Sequence, residues 1–533
     1  MSRKKDIERL KDSFGKLKED SFDFEQIEKY FKNKDHSGSF QVLTNKTCED
    51  LNFRELFMFL DRTYSRPGQQ FLYNKLRTIP AGSQEVDFDE RLIQRFSDDE
   101  NFRMFTQTKL DKLNKLNKED SYYISTLFQE EHVQPPKWFF VVRMLSFASL
   151  LSIISVIINP KMIFVLIGVF IVNLGIHYWN KKNLFQYLGS IPQLLRLKGI
   201  AQKLHTDPLL KEIAPNLNDS IKIIGQVRNR MSFFQMEAKL QGDLEALFWA
   251  MLEIVKIAFL LEPLLLFSVL KRLDKKRKEI EDVFCFVGCI DALMSIASLR
   301  KGLSVYCTPT ISMDKISILA KHIYHPLITN CEPNSIDIVD KSILLTGSNM
   351  SGKTSFIRTI GINLITGLTI NTCFAESMSI SRLRIYSAIR ISDDLLNDKS
   401  YYFEEVLTIK DMIEKCQNGK PNLFLLDEIF KGTNTIERIS AGKAVLSALA
   451  KNNNIVFVST HDIELTDMLS GEYELFHFSE IVTDNSVGFD YKLKEGKLKN
   501  RNAIRILQIN DYPDEVIDEA IEISKKMDSI KLI

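Results

Sequence analysis

Apolar positions recur at helical spacing through the first 130 residues of the chain. Residues 1–47 carry a charged amphipathic pattern that ends in a polar loop at 35–39, and residues 48–130 continue as charged helices interrupted at Pro67-Gly68. Apolar residues spaced three and four positions apart give a helix one face for a core and one face for solvent. This part of the chain is therefore predicted to be helical.

Two much longer apolar runs follow. The run from Trp138 to Ile158 contains one charged residue, Arg143, and the 18 residues from Met162 to Trp179 contain none. A helix of that length extends over about 27 Å, which is close to the hydrocarbon thickness of a bilayer. Aromatic residues at the outer ends suit the membrane–water interface. We expect a two-helix transmembrane hairpin, and the alternative is a helical hairpin buried in a large soluble core.

A third apolar run, from Ile257 to Leu270, has Glu262 and Pro263 near its middle. It is too short and too polar to predict a membrane span, so we interpret it as a helix in a core or on a membrane surface. The basic run at 271–279 is typical of a solvated helix end. Attraction to anionic lipid or to DNA phosphate is the alternative for that run.

From about residue 310 the pattern changes to short, wholly apolar runs separated by helical segments. The runs lie at 342–345, 422–426 and 455–458. Continuous apolar runs of this length are typical of parallel strands that are covered on both faces. We therefore predict an α/β region at the C-terminal end of the chain.

A glycine-rich stretch directly follows the first of these runs. It fits the pattern G-x-x-x-x-G-K-[ST], and its residues are Gly347, Ser348, Asn349, Met350, Ser351, Gly352, Lys353 and Thr354. The glycines let backbone N–H groups turn toward phosphate oxygens, and the N-terminus of the next helix adds its positive dipole end. We predict that this loop and Ser355 bind ATP, with Lys353 on the β- and γ-phosphates and the Thr354 hydroxyl on Mg²⁺.

Polar side chains also follow the other two apolar runs. Asp427 and Glu428 follow the second run, and His461 follows the third. We assign Asp427 to Mg²⁺, Glu428 to activation of the attacking water, and His461 to contact with the γ-phosphate. The alternatives are a solvated loop for the two carboxylates and a structural role for the histidine.

Composition narrows the class of protein. The net charge of +1 carries no global sign of nucleic-acid binding, so DNA contact would need local patches. The seven cysteines are an odd number without a C-x-x-C pair, which argues against a metal site and favours reduced thiols. Since ATP is cytosolic, we expect a protein of the cytoplasmic membrane with both ends of the hairpin, and the ATP-binding region, on the cytosolic side.

The site motifs resemble those of the MutS family of DNA mismatch repair ATPases. Residues 346–363 (TGSNMSGKTSFIRTIGIN) look like its phosphate loop, and residues 425–442 (LLDEIFKGTNTIERISAG) look like its Asp-Glu segment. Residues 459–468 (STHDIELTDM) are similar to its histidine segment. Residues 392–406 (SDDLLNDKSYYFEEV) resemble the family's signature.

The resemblance implies roles for further residues. Ser400 would reach across a dimer to the γ-phosphate bound by the other subunit, and the alternative is that it caps its own helix. Glu405 matches the glutamate of the signature. Tyr491 falls at a position beside the adenine, and Cys331 stands near the place of the family's adenine-stacking aromatic residue.

Similarity at residues 60–77 and 284–310 extends the resemblance to the family's helical core. Because the core-like residues begin near position 48, we expect a member without the mismatch-binding and connector domains. The expected division is an N-terminal helical segment (1–47), the first part of the core (48–134), a transmembrane hairpin (135–183), the second part of the core or lever (184–309) and the ATPase domain (310–533).

We therefore expect an α/β C-terminal P-loop ATPase of the ABC-like, MutS type, joined to an all-α core or lever that carries a transmembrane hairpin. The family implies a homodimer that binds and hydrolyses ATP with Mg²⁺ at composite sites and couples this to DNA binding. One alternative is an ATP-gated membrane scaffold that does not bind DNA. The other is an ABC-transporter-type ATPase, although no LSGGQ sequence precedes Asp427.

Overall fold

The computed structural model describes residues 2–82, 86–113, 118–183, 185–226, 243–312, 315–348, 350–390, 401–482, 487–498, 503–509 and 512–530. Its α-helices are α1 Ser2–Ser13, α2 Phe24–Lys32, α3 Asn45–Asp50, α4 Phe53–Leu60, α5 Arg66–Arg77, α6 Val86–Asp98, α7 Glu100–Leu110, α8 Thr126–Gln129, α9 Phe139–Ile158, α10 Ile163–Asn183, α11 Phe185–Leu204, α12 Pro208–Ile213, α13 Leu217–Gly225, α14 Asp243–Ala258, α15 Leu261–Leu273, α16 Arg277–Gly302, α17 Lys353–Ile370, α18 Tyr401–Cys416, α19 Thr435–Leu449, α20 Glu464–Met468, α21 Ala503–Ile509 and α22 Asp514–Ile530.

Short strands complete the secondary structure. They are β1 Gln41–Val42, β2 Thr78–Ile79, β3 Thr310–Ser312, β4 Ser317–Ile323, β5 Asn334–Val339, β6 Ser342–Thr346, β7 Ser377–Ser381, β8 Arg384–Ala388, β9 Asn422–Asp427, β10 Ile455–Ser459, β11 Tyr473–His477, β12 Glu480–Val482, β13 Val487–Phe489 and β14 Lys494–Glu495. The apolar runs predicted as strands form β6, β9 and β10. The chain divides into two compact units, which we call the helical unit (1–36, 60–75 and 84–302) and the sheet unit (37–59, 76–83 and 303–533).

The sheet unit is built on a six-stranded sheet in the order β14-β11-β6-β10-β9-β8. All neighbouring pairs are parallel except β14 with β11, which is antiparallel. Side chains of the three apolar strands are buried on both faces, as their composition predicted. A second sheet has the strand order β3-β7-β4-β5. Its strands β3, β4 and β5 precede the phosphate loop in sequence, and β7 follows it.

Residues 37–59 and 76–83 belong to the sheet unit, whereas the sequence placed residues 48–134 in a helical core. A buried carboxylate explains this packing. Asp50, at the end of α3, accepts hydrogen bonds from the Ser387 hydroxyl at 2.7 Å and from the backbone N–H groups of Ile389 and Arg390 at 3.0 and 2.9 Å. Lys46 Nζ lies 2.8 Å from the same carboxylate. These bonds hold α3 at the end of β8.

The helical unit packs around α16, which is buried over most of its length. Helices α6, α8, α11 and α13 contact it. Its Asp291 carboxylate accepts backbone N–H bonds from Tyr64 at 2.9 Å and Ser65 at 2.8 Å. A Cβ added at Gly68 would lie 2.1 Å from Asp291 Oδ2, so the glycine permits this close approach at the start of α5.

Three stretches of the described chain are long and apolar enough to cross a membrane by length and composition alone. They are Phe139–Ile158, Pro160–Lys181 and Leu261–Gly302. Their most apolar windows are 17%, 11% and 83% buried within the protein, respectively. The first two form the predicted hairpin of α9 and α10, whereas the third is a core segment that includes α15 and α16.

Candidate active site

The phosphate loop connects β6 to α17 through positions that need glycine. Gly347 and Gly352 have φ angles of 147° and 107°. A Cβ at Gly347 would also lie 2.7 Å from the carbonyl oxygen of Phe478. The Lys353 ammonium donates to Gly347 O at 2.7 Å and to Ser348 O at 2.8 Å, and burial lowers its pKa. The loop is therefore wrapped around a partly desolvated cation, which suits the binding of phosphate oxygens.

Oxygen ligands meet beside this loop. Thr354 Oγ1 donates to Asp427 Oδ2 at 2.8 Å, and Ser459 Oγ donates to the other carboxylate oxygen. Asp427 and Ser459 are paired neighbours at the ends of the parallel strands β9 and β10, which brings them to one edge of the sheet. Hydroxyl and carboxylate oxygens are ligands that Mg²⁺ prefers, so Thr354 and Asp427 fit the predicted metal site.

Glu428 lies at the same edge and is paired with two cationic or potentially cationic groups. His461 Nε2 is 2.9 Å from Glu428 Oε1, and Lys431 Nζ is 2.9 Å from Glu428 Oε2. The hydrogen bond from His461, with a further contribution from Lys431, lowers the pKa of Glu428 to about 2. Its backbone is left-handed, with a φ of 51°, and its N–H donates to Ser459 O at 2.9 Å. Glu428 is thus a fixed carboxylate at neutral pH.

Two polar contacts support this edge, one buried and one partly buried, and the sequence did not predict either of them. The Glu405 side chain on α18 is almost fully buried and accepts the backbone N–H of Phe430 at 2.6 Å, and burial raises its pKa. Arg438 on α19 makes two bonds, of 2.9 and 2.7 Å, to the Asp462 carboxylate next to His461. Glu405 matched a family position, but no sequence pattern paired it with Phe430, which is 25 residues away.

A cavity of about 640 Å³ opens next to the phosphate loop. Its lining residues come from the loop and the start of α17 (Ser351, Thr354, Ser355), from the segment after β4 (Tyr324, His325, Cys331), from the residue directly after β9 (Glu428) and from the segment after β13 (Tyr491). A Cβ at Gly352 would lie 3.3 Å from Tyr491 Cδ1, so the tyrosine ring borders the loop. Tyr491, the predicted adenine-side residue, and Cys331, near the place of the family's stacking aromatic, therefore share one cavity with the predicted phosphate-binding residues.

Two predicted site residues, Asn349 and Ser400, lie outside the described residues, as does most of the signature at 392–406. Ser351 Oγ donates to Ser348 O at 2.8 Å and stabilises the loop, whereas the Met350 side chain is exposed. All other predicted site residues meet at the loop, the cavity or the adjacent sheet edge. Their catalytic and binding roles stay predictions.

Comparison with known proteins places this site in a family. The family model for MutS domain V matches residues 343–528, which include β6, the phosphate loop, β9 and β10. The DNA mismatch repair protein MutS of Aquifex pyrophilus is 27% identical over 277 residues, or 50% of this chain and 31% of that protein. MutS of Petrotoga mobilis is 30% identical over 273 residues, or 49% of this chain and 33% of that protein.

A eukaryotic DNA mismatch repair protein is similar to the chain to the same extent. The DNA mismatch repair protein MSH3 of Candida albicans is 27% identical over 290 residues, or 49% of this chain and 27% of that protein. The matches thus span about half of this chain and about a third of the length of the relatives. Residues 343–528 thus belong to the family of MutS domain V, and about half of the chain is similar to DNA mismatch repair proteins of the MutS type.

Proposed function

We propose that this protein binds and hydrolyses ATP at the sheet edge, as a membrane-anchored, dimeric MutS-type ATPase that couples turnover to DNA binding. The observation that carries the proposal is the meeting of Lys353, the Thr354–Asp427 pair and Glu428 at one edge of a parallel sheet. Phosphoryl transfer needs positioned charges rather than covalent chemistry from the protein, and these groups supply them.

Each side chain has a defined task in this proposal. Thr354 and Asp427 would hold Mg²⁺, which would supply positive charge to the β- and γ-phosphates. Lys353 exchanges the loop carbonyls for phosphate oxygens when ATP binds. Glu428 orients the attacking water and accepts its proton, and His461 holds the Glu428 carboxylate in place through their 2.9 Å contact.

Dimerisation and DNA binding rest on the family. The similar proteins from Aquifex pyrophilus, Petrotoga mobilis and Candida albicans are named DNA mismatch repair proteins. In a composite site Ser400 of one subunit would donate to the γ-phosphate held by the other. The +1 net charge requires any DNA contact to be local.

The membrane anchor rests on the hairpin of α9 and α10. Large apolar side chains along both helices are exposed, among them Phe147, Ile154, Phe164 and Ile171. An exposed apolar surface of this extent needs a nonpolar environment, which a bilayer provides over the length of both helices. The ATPase region would then lie on the cytosolic side, where ATP is present.

Two substitutions test the ATPase. Lys353→Ala should abolish ATP binding, because it removes the cation next to the β- and γ-phosphates. Glu428→Gln should retain binding of radiolabelled ATP but lower hydrolysis by about 100-fold or more, since it keeps the shape and removes the proton acceptor. Lys443→Ala, on α19 outside the site, is the matched control and should behave as wild type. Wild-type hydrolysis by Glu428→Gln would refute the assigned role of Glu428.

The DNA part is tested separately. Hydrolysis by the detergent-solubilised protein is measured with and without duplex and branched DNA, over a range of salt concentrations. Stimulation that declines as salt increases supports the coupling, because phosphate contacts depend on counterion release. Hydrolysis unaffected by every DNA, with no DNA binding at low salt, would instead favour the ATP-gated membrane scaffold.

A further inference from the structure

The junction of α14 and α15 is capped by the hairpin. Phe259 and Leu260 interrupt the two helices, and Leu260 is fully buried with a left-handed φ of 47°. The last carbonyl groups of a helix lack partners within it. Here Asn173 Nδ2 donates to Ala258 O at 2.8 Å, and Ser146 Oγ donates to Phe259 O at 2.8 Å. Side chains of the hairpin thus donate the hydrogen bonds that water would donate to these carbonyl groups at an exposed helix end.

These contacts show at which position along the hairpin the junction lies. Asn173 also donates to Ser149 Oγ at 2.9 Å, which aligns α9 and α10 at this level. Asn173 is 10 residues from the start of α10, and Ser149 is 9 residues from the end of α9. At 1.5 Å per residue this level is about 14 Å from the hairpin tip, which is half of a hydrocarbon core of about 30 Å.

Charged side chains join the same helices one turn closer to the hairpin base. His177 Nε2 on α10 lies 3.0 Å from Glu253 on α14, and Lys256 Nζ lies 2.6 Å from Glu253 and 3.7 Å from Glu262. The ligand atoms of His177, Glu253 and Glu262 are close enough for a metal ion, but Lys256 already supplies positive charge there. Charges away from water persist when they compensate one another, as these do.

The opposite face of α14 continues the apolar surface of the hairpin. Met251, Ile254 and Val255 occupy one face at helical spacing and are 61%, 56% and 43% exposed. Helix α14 packs beside α10, and both helices expose large apolar side chains. In contrast, most of α15 is buried within the helical unit, including Leu266 and Phe267. Contact with a nonpolar environment would therefore be made by α14.

We infer that α14 and α15 form a re-entrant helical pair that enters the same bilayer as the hairpin. The pair turns at Phe259–Leu260 near the midplane and returns, with Met251, Ile254 and Val255 against lipid acyl chains. Non-helical backbone at that depth requires burial and hydrogen-bond partners, and this junction has both. The inference rests on the proposed membrane anchor and extends it beyond Trp138–Trp179.

Quenching of tryptophan fluorescence by brominated lipid tests the inference. The three native tryptophans, Trp138, Trp179 and Trp249, are replaced with phenylalanine in the full-length protein. Ile254→Trp, Ile154→Trp on α9 and Ile436→Trp on α19 are then made singly, all at exposed sites. Each protein is reconstituted in phosphatidylcholine vesicles with or without 9,10-dibrominated chains. Circular dichroism and ATP binding identify any variant that does not fold.

We expect the Ile254→Trp and Ile154→Trp variants to lose similar fractions of their emission, and the Ile436→Trp variant to lose none. Quenching at 154 but not at 254 would overturn the re-entrant pair while leaving the hairpin anchor in place. A second copy of the chain covering α14 would give that same result. Absence of quenching at both positions would instead reject the membrane anchor itself.

Depth-dependent quenching separates a re-entrant pair from a helix on the membrane surface. Val255 is four residues closer to the junction than Met251, or about 6 Å deeper if α14 points inward. The ratio of quenching by 11,12-dibromo to 6,7-dibromo lipid should therefore be higher for Val255→Trp than for Met251→Trp. Equal ratios, or a higher ratio at 251, would rule out the inward orientation.

Discussion

Charged side chains meet in two regions of this protein, and the two regions differ in how far those side chains are exposed to water. At the sheet edge, the side chains of Glu428, His461 and Lys431 are 20%, 39% and 46% exposed. Between α10, α14 and α15, the side chains of His177 and Lys256 are each only 1% exposed. Water screens the first group and can replace its partners, whereas the second group depends on its own members for compensation.

The difference separates a site that can rearrange from one that cannot. Lys353 and Glu428 can change partners when ATP binds, because their present contacts are with loop carbonyls and partly solvated side chains. In the cluster on α10, α14 and α15, Glu253 is 16% exposed, but His177, Lys256 and Glu262 are almost fully buried, so these three act as fixed contacts between helices. We therefore expect substitutions at the sheet edge to change turnover, and substitutions in the buried cluster to change stability.

The largest expected effect comes from Lys256→Met. It leaves the buried Glu262 carboxylate without the ammonium and removes the 2.6 Å contact to Glu253, and breaking a buried pair typically costs about 3–5 kcal/mol. The matched change Lys431→Met, at the sheet edge, should cost less than about 1 kcal/mol. Calorimetry of the protein in detergent measures both, and Lys256→Arg, which keeps the charge, should recover much of the loss. Equal shifts for the two methionine variants would contradict the comparison.

An intermediate effect is expected at Glu405, which lies within the sheet unit but is buried like the cluster. Glu405→Ala leaves the Phe430 N–H without its acceptor, at a cost of about 1–3 kcal/mol, and loosens the turn after Glu428. We expect kcat for ATP hydrolysis to fall at least about fivefold, with little change in KM. Glu405→Gln retains an oxygen acceptor and should stay close to wild type. If it is as slow as Glu405→Ala, the charge of Glu405 matters rather than its hydrogen bond.

The smallest expected effect is a change in the pH dependence of ATP hydrolysis. The pKa of Glu428 is lowered from 4.5 to about 2, so the stabilisation of its carboxylate is present at neutral pH and is lost as pH falls through about 2. Lys431→Met removes one cause of that shift and moves the pKa back toward 4.5. Turnover at pH 5, relative to pH 7.5, should then drop by up to about a quarter more than in wild type.

Lys415→Met provides the control for that pH profile. Lys415 forms a comparable exposed ion pair, with Asp411 on α18, and does not contact Glu428. Its pH profile should follow wild type. An unchanged profile in Lys431→Met, or an equal change in both variants, would show that Lys431 does not tune Glu428.

Local sequence determined the elements that place the active site. The apolar runs became β6, β9 and β10, and the glycine pattern became a strand–loop–helix with left-handed glycines. Such features depend on residues that are adjacent in the chain, because a buried parallel strand and a phosphate loop each have their own composition. Hydrophobicity and length likewise identified the hairpin helices, although membrane insertion stays a prediction.

Only the tertiary structure decided which distant residues became partners. Glu405 with the Phe430 N–H, Asp50 with the end of β8, and Asn173 with Ala258 O are separated in sequence and lack a local pattern. A buried polar atom takes whichever partner the packing brings within about 3 Å, and packing is a property of the whole fold. For the same reason, the apolar run at 257–270 could not by itself reveal that α15 is buried while α14 exposes an apolar face.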